Sequence, residues 1–219
     1  MMRPMRHVDL SHVVEDGMTT YPGLPGPVVC DYLTRERSRE LYGPGTEFQI
    51  GVVTICSNTG TYVDSPFHRY PDGIDLSELP LERLAGLDAV VVDLAGQAAA
   101  ADLFRGVDVA GRAVLVRTGW HRHWRTPEYL SGHPFLTGAA AEHLAAEGAL
   151  LVGIDSLNID DTGDGSRPVH STLLAAGIPI CEHLADLSAL PAGGFRFSAV
   201  PVPIKGMGTF PVRAYASFD

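Results

Sequence analysis

The chain has 219 residues, of which 45% are hydrophobic and 19% are charged. This composition is typical of a folded globular protein and excludes a disordered chain, which has too little apolar surface to form a core. Asp and Glu outnumber Lys and Arg by 26 to 16 and give a net charge of -10, so the phosphate backbone of a nucleic acid is an unfavourable partner.

The first part of the sequence predicts β-structure. Strands are expected at His7–Ser11, Val28–Leu33 and Phe48–Cys56, and the third is rich in β-branched residues. A polar, glycine-bearing loop is expected over residues 57–68. A helical turn at Leu79–Leu84 and a strand at Ala89–Leu94 follow.

The second part alternates between strands and helices. Helices are expected at Thr137–Glu147, with Thr137 as N-cap, and at His170–Ala176. Strands are expected at Ala113–Thr118, Ala149–Ile154, Ile178–Cys181, Phe197–Ile204 and Pro211–Ser217. No repeat or linker divides the sequence, so the pattern predicts one mixed α/β domain over residues 1–219.

The cysteines and the N-terminal residues bear on the compartment. Cys30, Cys56 and Cys181 are far apart and form no CxxC pair, which favours a reducing compartment over a disulfide framework or a thiolate zinc site. The N-terminal residues include no apolar targeting segment, and no apolar run is long enough to span a membrane. We therefore expect a soluble, cytoplasmic protein without a membrane partner.

Two short clusters carry residues suited to chemistry. Asp64 and His68 lie on the loop after the third predicted strand, and Pro66 between them stiffens that loop. His170 opens a predicted short helix, and Glu182 follows it by twelve residues at the end of the next strand. Two carboxylates and two imidazoles are a suitable ligand set for zinc or manganese. The spacing of Asp64 and His68 alone is equally compatible with a structural role, in which the two side chains stabilise the loop through hydrogen bonds.

Several segments together carry a family resemblance. They include Asp9–His12, Gly60–His68, Arg117–Trp120 and Val152–Asp155, followed by His170 with Glu182 and by the closing run Pro211–Ala214. In these segments the chain resembles the cyclase-type metal-dependent hydrolases, a family that includes bacterial kynurenine formamidase and isatin hydrolase. The resemblance implies a mixed β/β/α swivelling domain of the putative-cyclase type. It also implies a homo-oligomer, either a dimer or a tetramer.

The resemblance further implies an activity and a site. The activity is hydrolysis of an amide, formamide or lactam (or lactone) bond in a small cyclic or aromatic substrate by metal-activated water. Asp64, His170 and Glu182 would be metal ligands, and His68 would transfer the proton. The central family motif is HxGTHxDxPxH, and this sequence has Asn58 and Tyr62 where the motif has its first two histidines.

These two replacements leave three hypotheses open. The first is a hydrolase with one divalent metal ion, zinc or manganese, on Asp64, His170 and Glu182. The second is a metal-free lyase, isomerase or cyclase that uses Tyr62 and His68 as acid–base groups. The third is a non-catalytic protein that binds a small molecule.

Further residues complete the predicted site and its surroundings. We expect Asn58, Phe67 and Trp120 to line the substrate pocket. The acidic run over residues 160–165 lacks the acidic residue twelve along that a calcium loop requires. We therefore expect that run to be a flexible polar loop.

Overall fold

A computed structural model describes residues 5–218 of the chain. Thirteen strands lie within that range, at Arg6–Asp9 (β1), Val28–Leu33 (β2), Ile50–Thr54 (β3), Tyr62–Asp64 (β4), Leu87–Asp93 (β5), Ala98–Ala99 (β6), Ala113–Arg117 (β7), Phe135–Leu136 (β8), Leu151–Ile154 (β9), Ile180–Glu182 (β10), Gly193–Ser198 (β11), Thr209–Pro211 (β12) and Tyr215–Phe218 (β13). The α-helices are Arg35–Ser38 (α1), Gly138–Ala146 (α2) and Pro168–Ala175 (α3). The prediction of a mixed α/β fold is confirmed.

Nine strands form one mixed sheet in the order β1-β13-β11-β5-β7-β9-β10-β4-β12. Its centre, β5-β7-β9-β10, is parallel, and these strands are nearly continuous apolar runs because both of their faces are buried. Strands β2 and β3 form a separate antiparallel ribbon, and β6 pairs with β8.

The two faces of the sheet belong to two cores. Because side chains alternate along a strand, Val114 and Val116 of β7 face one way and Leu115 faces the other. The valines pack with Leu144 of α2 and Leu173 of α3. Leu115 packs with the apolar residues of β11 and β13 on the opposite face. The central strands of the sheet are thus packed on both faces, and β10 and β4 lie beside them toward one edge.

The sheet curls so that its two ends approach each other. Pro211 of β12 pairs with Tyr62 at one end of the sheet, and Tyr215 of β13 pairs with Asp9 at the other end. Only residues 212–214 separate the two strands. The single strand predicted at Pro211–Ser217 is therefore wrong, because the chain leaves one edge and joins the other within this run.

Two further predictions about strands are corrected. The strand expected at Phe197–Ile204 lies instead at Gly193–Ser198, because Pro201 and Pro203 lack the N–H groups that continued pairing requires. Strand β4 lies inside the expected loop over residues 57–68. Thr137 caps α2 as predicted by accepting a hydrogen bond from the Ala140 N–H. No helix within residues 5–218 is long and apolar enough to cross a membrane.

Candidate active site

A cleft of about 280 Å³ lies at the end of β4 and β10. Most of its lining is polar or charged, which distinguishes it from an ordinary apolar surface groove. The lining residues are Tyr21, Leu24, Asn58, Tyr62, His68, Arg69, Asn158, Arg167, His170 and Glu182. Four of the residues that the sequence singles out for catalysis or metal binding thus share one cavity: Tyr62, His68, His170 and Glu182.

Strand pairing brings three of the site residues to one face. In the antiparallel pairing of β4 with β10, Glu182 is opposite Tyr62 and Ile180 is opposite Asp64. Tyr62 and Asp64 are two residues apart on β4 and therefore point the same way, and directly opposed residues share a face. All three of Tyr62, Asp64 and Glu182 are at most 1% exposed.

The Glu182 carboxylate is held by protein donors. Its Oε1 accepts a hydrogen bond of 2.6 Å from the backbone N–H of Ile159, and its Oε2 accepts one of 2.6 Å from the hydroxyl of Tyr62. Burial raises the pKa of Glu182, and the nearby Asp64 adds to this while His170 opposes it. Burial, together with Glu182, raises the pKa of Tyr62 well above its usual value, so Tyr62 is a neutral donor.

His170 is oriented by a carboxylate that the sequence analysis did not assign to the site. Nδ1 of His170 lies 2.6 Å from Asp160 Oδ2, and the Asp160 carboxylate also accepts the backbone N–H groups of Val169 and His170. Asp160 is fully buried. The prediction that residues 160–165 form a flexible polar loop is therefore wrong at Asp160, which caps the start of α3.

The other ring nitrogen of His170 faces two carboxylates. Nε2 lies 3.7 Å from Asp64 Oδ2 and 3.7 Å from Glu182 Oε1. Burial alone would lower the pKa of His170, but the attraction of the Glu182 and Asp64 carboxylates and the hydrogen bond to Asp160 outweigh it and raise the pKa to about 10. A positive charge at this point is thus strongly favoured by its surroundings.

His68 lies at the rim of this cluster. His68 is the last residue of a short 3-10 helix, Pro66–His68, that follows β4. About a third of its side chain is exposed. Its Nδ1 lies 2.8 Å from the hydroxyl oxygen of Thr209, which in turn bonds Asp64 Oδ1. The ring is therefore anchored on one side and open to the cleft on the other.

The donor atoms present fit a divalent cation. Asp64 Oδ2 is buried and has no hydrogen-bond partner among residues 5–218, an arrangement that costs free energy unless a cation or a proton compensates it. Candidate ligand atoms of Asp64, His68 and His170 all lie within 4.8 Å of one another. One carboxylate and two imidazoles suit zinc or manganese, and the bond from Asp160 to His170 resembles the carboxylate–histidine support common at metal sites.

The predicted pocket residues have different positions. Asn58 lines the cleft, whereas Phe67 and Trp120 are outside its lining. Trp120 instead donates its indole N–H to the backbone oxygen of Tyr129 at 3.1 Å. The two arginines of the lining, Arg69 and Arg167, were not predicted as site residues. Neither lies in a motif that would have identified it.

Residues 8–161 match the protein family described as a putative cyclase. Among individual proteins, kynurenine formamidase of Geobacillus thermodenitrificans is 28% identical over 216 residues, which cover 98% of this chain and 97% of that protein. Kynurenine formamidase of Bacillus cytotoxicus is 27% identical over 219 residues, with coverage of 97% and 98%. The similarity therefore extends over nearly the whole length of both chains.

Solved structures show the same extent of similarity. Isatin hydrolase A from Labrenzia aggregata, determined with benzyl benzoate bound, superposes with a TM-score of 0.81 at 25% identity, covering 98% of this chain and 94% of that one. A structure described as a potential metal-dependent hydrolase with cyclase activity also has a TM-score of 0.81 at 25% identity, covering 98% of each chain.

Proposed function

This chain belongs to the putative cyclase family, and from that membership we propose that it is a hydrolase of a C–N amide, formamide or lactam bond in a small aromatic substrate. Relatives named kynurenine formamidase and isatin hydrolase support this substrate class. Their names also favour an enzyme over a non-catalytic binding protein. The observation that carries the proposal is the buried Asp64 Oδ2, which has no hydrogen-bond partner within residues 5–218 and lies 3.7 Å from His170 Nε2.

The proposed ligands of one divalent cation, zinc or manganese, are Asp64, His170 and Glu182, the set that the family resemblance implies. The group whose ligand atoms all lie within 4.8 Å of one another has His68 in place of Glu182, so His68 is the alternative third ligand. Asp64 Oδ2 and Glu182 Oε1 each lie 3.7 Å from His170 Nε2, and the site favours positive charge there. When bound, such a cation lowers the pKa of water and polarises a carbonyl group. The family's two-metal and His-His-Asp arrangements are disfavoured, since Asn58 and Tyr62 replace the two motif histidines.

The remaining site residues have roles of their own. His68 moves a proton from water to the leaving nitrogen, because its ring reaches the cleft while Nδ1 is anchored. Tyr62 fixes the Glu182 side chain by donating a hydrogen bond to it, and this bond favours the ionised form of Glu182. Asp160 holds His170 so that Nε2 faces the two other carboxylates.

The test combines metal binding with turnover. Chelator-treated protein is reloaded with zinc or manganese and assayed on formylated aryl amines and on isatin. We expect activity to return with the metal, D64N to lose both metal binding and activity, and H68Q to bind metal without turning over substrate. Loss of metal binding in H68Q would instead make His68 the third ligand. Full activity of the chelator-treated protein would overturn the proposed metal dependence.

A second candidate function is a metal-free lyase, isomerase or cyclase that uses Tyr62 and His68 as acid–base groups. One observation favours it: His170 lies among the carboxylates of Asp64, Asp160 and Glu182, which raise its pKa to about 10, and a proton on His170 would balance part of their charge. Such a cluster suits proton transfer. This candidate predicts that Y62F and H68A both cripple turnover whereas chelators have no effect.

We also propose that the chain forms a homo-oligomer, a dimer or a tetramer. The β2–β3 ribbon supports this proposal, because neighbouring residues such as Val28 and Val29 point to opposite faces and both are exposed. A two-stranded ribbon with two wet apolar faces is marginal in water. In light scattering after gel filtration, V29K should shift the protein toward monomer and V200K, which lies outside the ribbon, should not. An unchanged mass for V29K would contradict an interface at the ribbon.

A further inference from the structure

Thr209 is buried between Asp64 and His68. It lies on β12 opposite Asp64 in the antiparallel pairing with β4, and it is 2% exposed. Its hydroxyl donates a hydrogen bond to Asp64 Oδ1, and its oxygen lies 2.8 Å from His68 Nδ1. One hydroxyl group therefore bridges a proposed metal ligand and the proposed proton-transfer residue.

The backbone around Thr209 fixes this bridge. A Cβ at Gly208 would overlap the backbone nitrogen and Cα of His68, so a larger residue there would push β12 away from the turn. The backbone oxygen of Gly208 also accepts a hydrogen bond of 2.7 Å from the Ser65 N–H. The contact between Thr209 and His68 thus follows from a close approach of two backbones.

The number of protons on each group determines the direction of the two hydrogen bonds. A hydroxyl has one proton, and the Thr209 hydroxyl donates its proton to Asp64 Oδ1. The Thr209 proton therefore lies toward Asp64, and the bond between Thr209 and His68 must be donated by the Nδ1–H of His68. Neutral His68 is then protonated at Nδ1, and the lone pair of Nε2 is free on the cleft side.

We propose that Thr209 is a positioning residue that holds His68 in the tautomer with an unprotonated Nε2. The proposal rests on the proposed role of His68 in hydrolysis. Nε2 accepts one proton of the attacking water as the bond from the water oxygen to the carbonyl carbon forms. It gives that proton to the leaving nitrogen as the C–N bond breaks, and the other water proton leaves with the acid product. The opposite tautomer would present an N–H to the water and could not accept its proton.

The tautomer can be observed without substrate. Nitrogen-15 NMR of histidine-labelled protein distinguishes a protonated from an unprotonated ring nitrogen, and the signals missing from H68Q assign His68. We expect the wild type and T209S to have a protonated Nδ1 and an unprotonated Nε2, and T209V to lose this preference. A wild-type His68 protonated at Nε2 would overturn the proposal. Because this measurement needs no turnover, it gives an answer even if the proposed hydrolase activity is not found.

Kinetics provide the second measurement. T209V keeps the shape of the side chain but removes the hydroxyl, and we expect kcat to fall about 10- to 100-fold while KM changes less than about twofold. T209S keeps the hydroxyl and should restore kcat to within about threefold of the wild type. Wild-type kcat in T209V, or failure of T209S to rescue a soluble and folded protein, would contradict the positioning role.

Discussion

The hydroxyl of Tyr62 donates a hydrogen bond of 2.6 Å to Oε2 of Glu182, and both side chains are buried. Tyr62 is thereby the partner of a carboxylate at a position where the family motif has a histidine. Its side chain cannot act as a phenolate without cost, because burial and Glu182 hold its pKa well above the usual value. Tyr62 in place of the motif histidine therefore has two effects. It removes a possible metal ligand, and it gives Glu182 a hydrogen-bond donor.

The first prediction is that Y62F destabilises the fold. Removing the hydroxyl leaves the buried Glu182 carboxylate with one donor fewer, which costs about 1.5–3 kcal/mol of unfolding free energy. Y70F is the matched control, since the Tyr70 hydroxyl donates to the neutral backbone oxygen of Ser171 and its loss should cost only about 1 kcal/mol. Urea unfolding measures both. Equal losses would show that the charge of Glu182 is irrelevant.

The second prediction concerns metal affinity. Restoring the two motif histidines in the double variant N58H/Y62H adds two imidazoles next to Asp64, and we expect zinc affinity to rise by about tenfold or more. Competition with a zinc-binding dye measures the dissociation constant. The single variant N58H serves as the comparison, because it leaves the bond between Tyr62 and Glu182 intact. An affinity unchanged in the double variant would argue that the side chains at 58 and 62 do not reach the site.

The third prediction tests Asp160 as the support of His170. D160N keeps the shape but replaces one of the two oxygens that accept hydrogen bonds from Val169 and His170. We expect unfolding free energy to fall by about 1–3 kcal/mol and the affinity for zinc to fall about 10- to 100-fold. D161N is the control, because the Asp161 side chain is exposed and in the described part of the chain accepts a hydrogen bond only from the Gly163 N–H. Equal effects of both variants would contradict a specific role for Asp160.

The elements that the sequence predicts correctly are those whose formation depends on residues within or next to the element itself. The valine-rich runs of β5 and β7 read as buried strands whatever pairs with them, and Thr137 marks the start of α2 by a local hydrogen bond. Strand β4 has only three residues and exists because β10 and β12 pair with it from distant parts of the chain. Its pattern alone is that of a loop.

The same distinction applies to the site. Asp64 and His68 are close in sequence, and their motif is visible directly. Asp160 lies in an acidic run that is typical of a solvated loop, and its burial follows only from the packing of α3. Thr209 is a lone threonine 145 residues from Asp64. The sequence therefore gives no indication that Asp160 or Thr209 belongs to the site. Their roles become visible only when the fold brings His170 and His68 within hydrogen-bond distance of them.

The fourth prediction concerns the charge of the substrate. Arg69 and Arg167 are the arginines of the cleft lining. Within residues 5–218 the Arg167 guanidinium donates hydrogen bonds only to the backbone oxygen of Asp161, at 3.2 Å, and to Oδ1 of Asn158, at 3.5 Å. An arginine with free donors favours a carboxylate. We expect kcat/KM for N-formylanthranilate to exceed that for neutral formanilide, and R167Q to reduce the former about tenfold and the latter less than about twofold. R112Q, outside the cleft lining, should change neither. An equal loss for both substrates would refute charge recognition.

The fifth prediction is a pH dependence of stability that involves His12. The ring of His12 stacks on Trp124 with 4.0 Å between centroids. Burial lowers its pKa to about 4, and His121 acts in the same direction while Asp155 opposes them. The unfolded chain therefore takes up a proton at His12 near pH 6.5, whereas the folded chain takes it up only near pH 4. Stability is full above pH 6.5 and falls as the pH decreases toward 4.

The variant H12F keeps the aromatic stack and removes this titration. Between pH 6.5 and 5, we expect the wild type to lose about 1 kcal/mol more unfolding free energy than H12F. The value is discounted from the full linkage because part of the ring is accessible to water. Groups that do not interact with His12 cancel in the comparison. His121 and His183 repel a charge on His12, so the difference between the two proteins includes that repulsion. The measurement is urea unfolding at each pH. Parallel stability curves for the two proteins would mean that His12 binds its proton equally in the folded and unfolded chains.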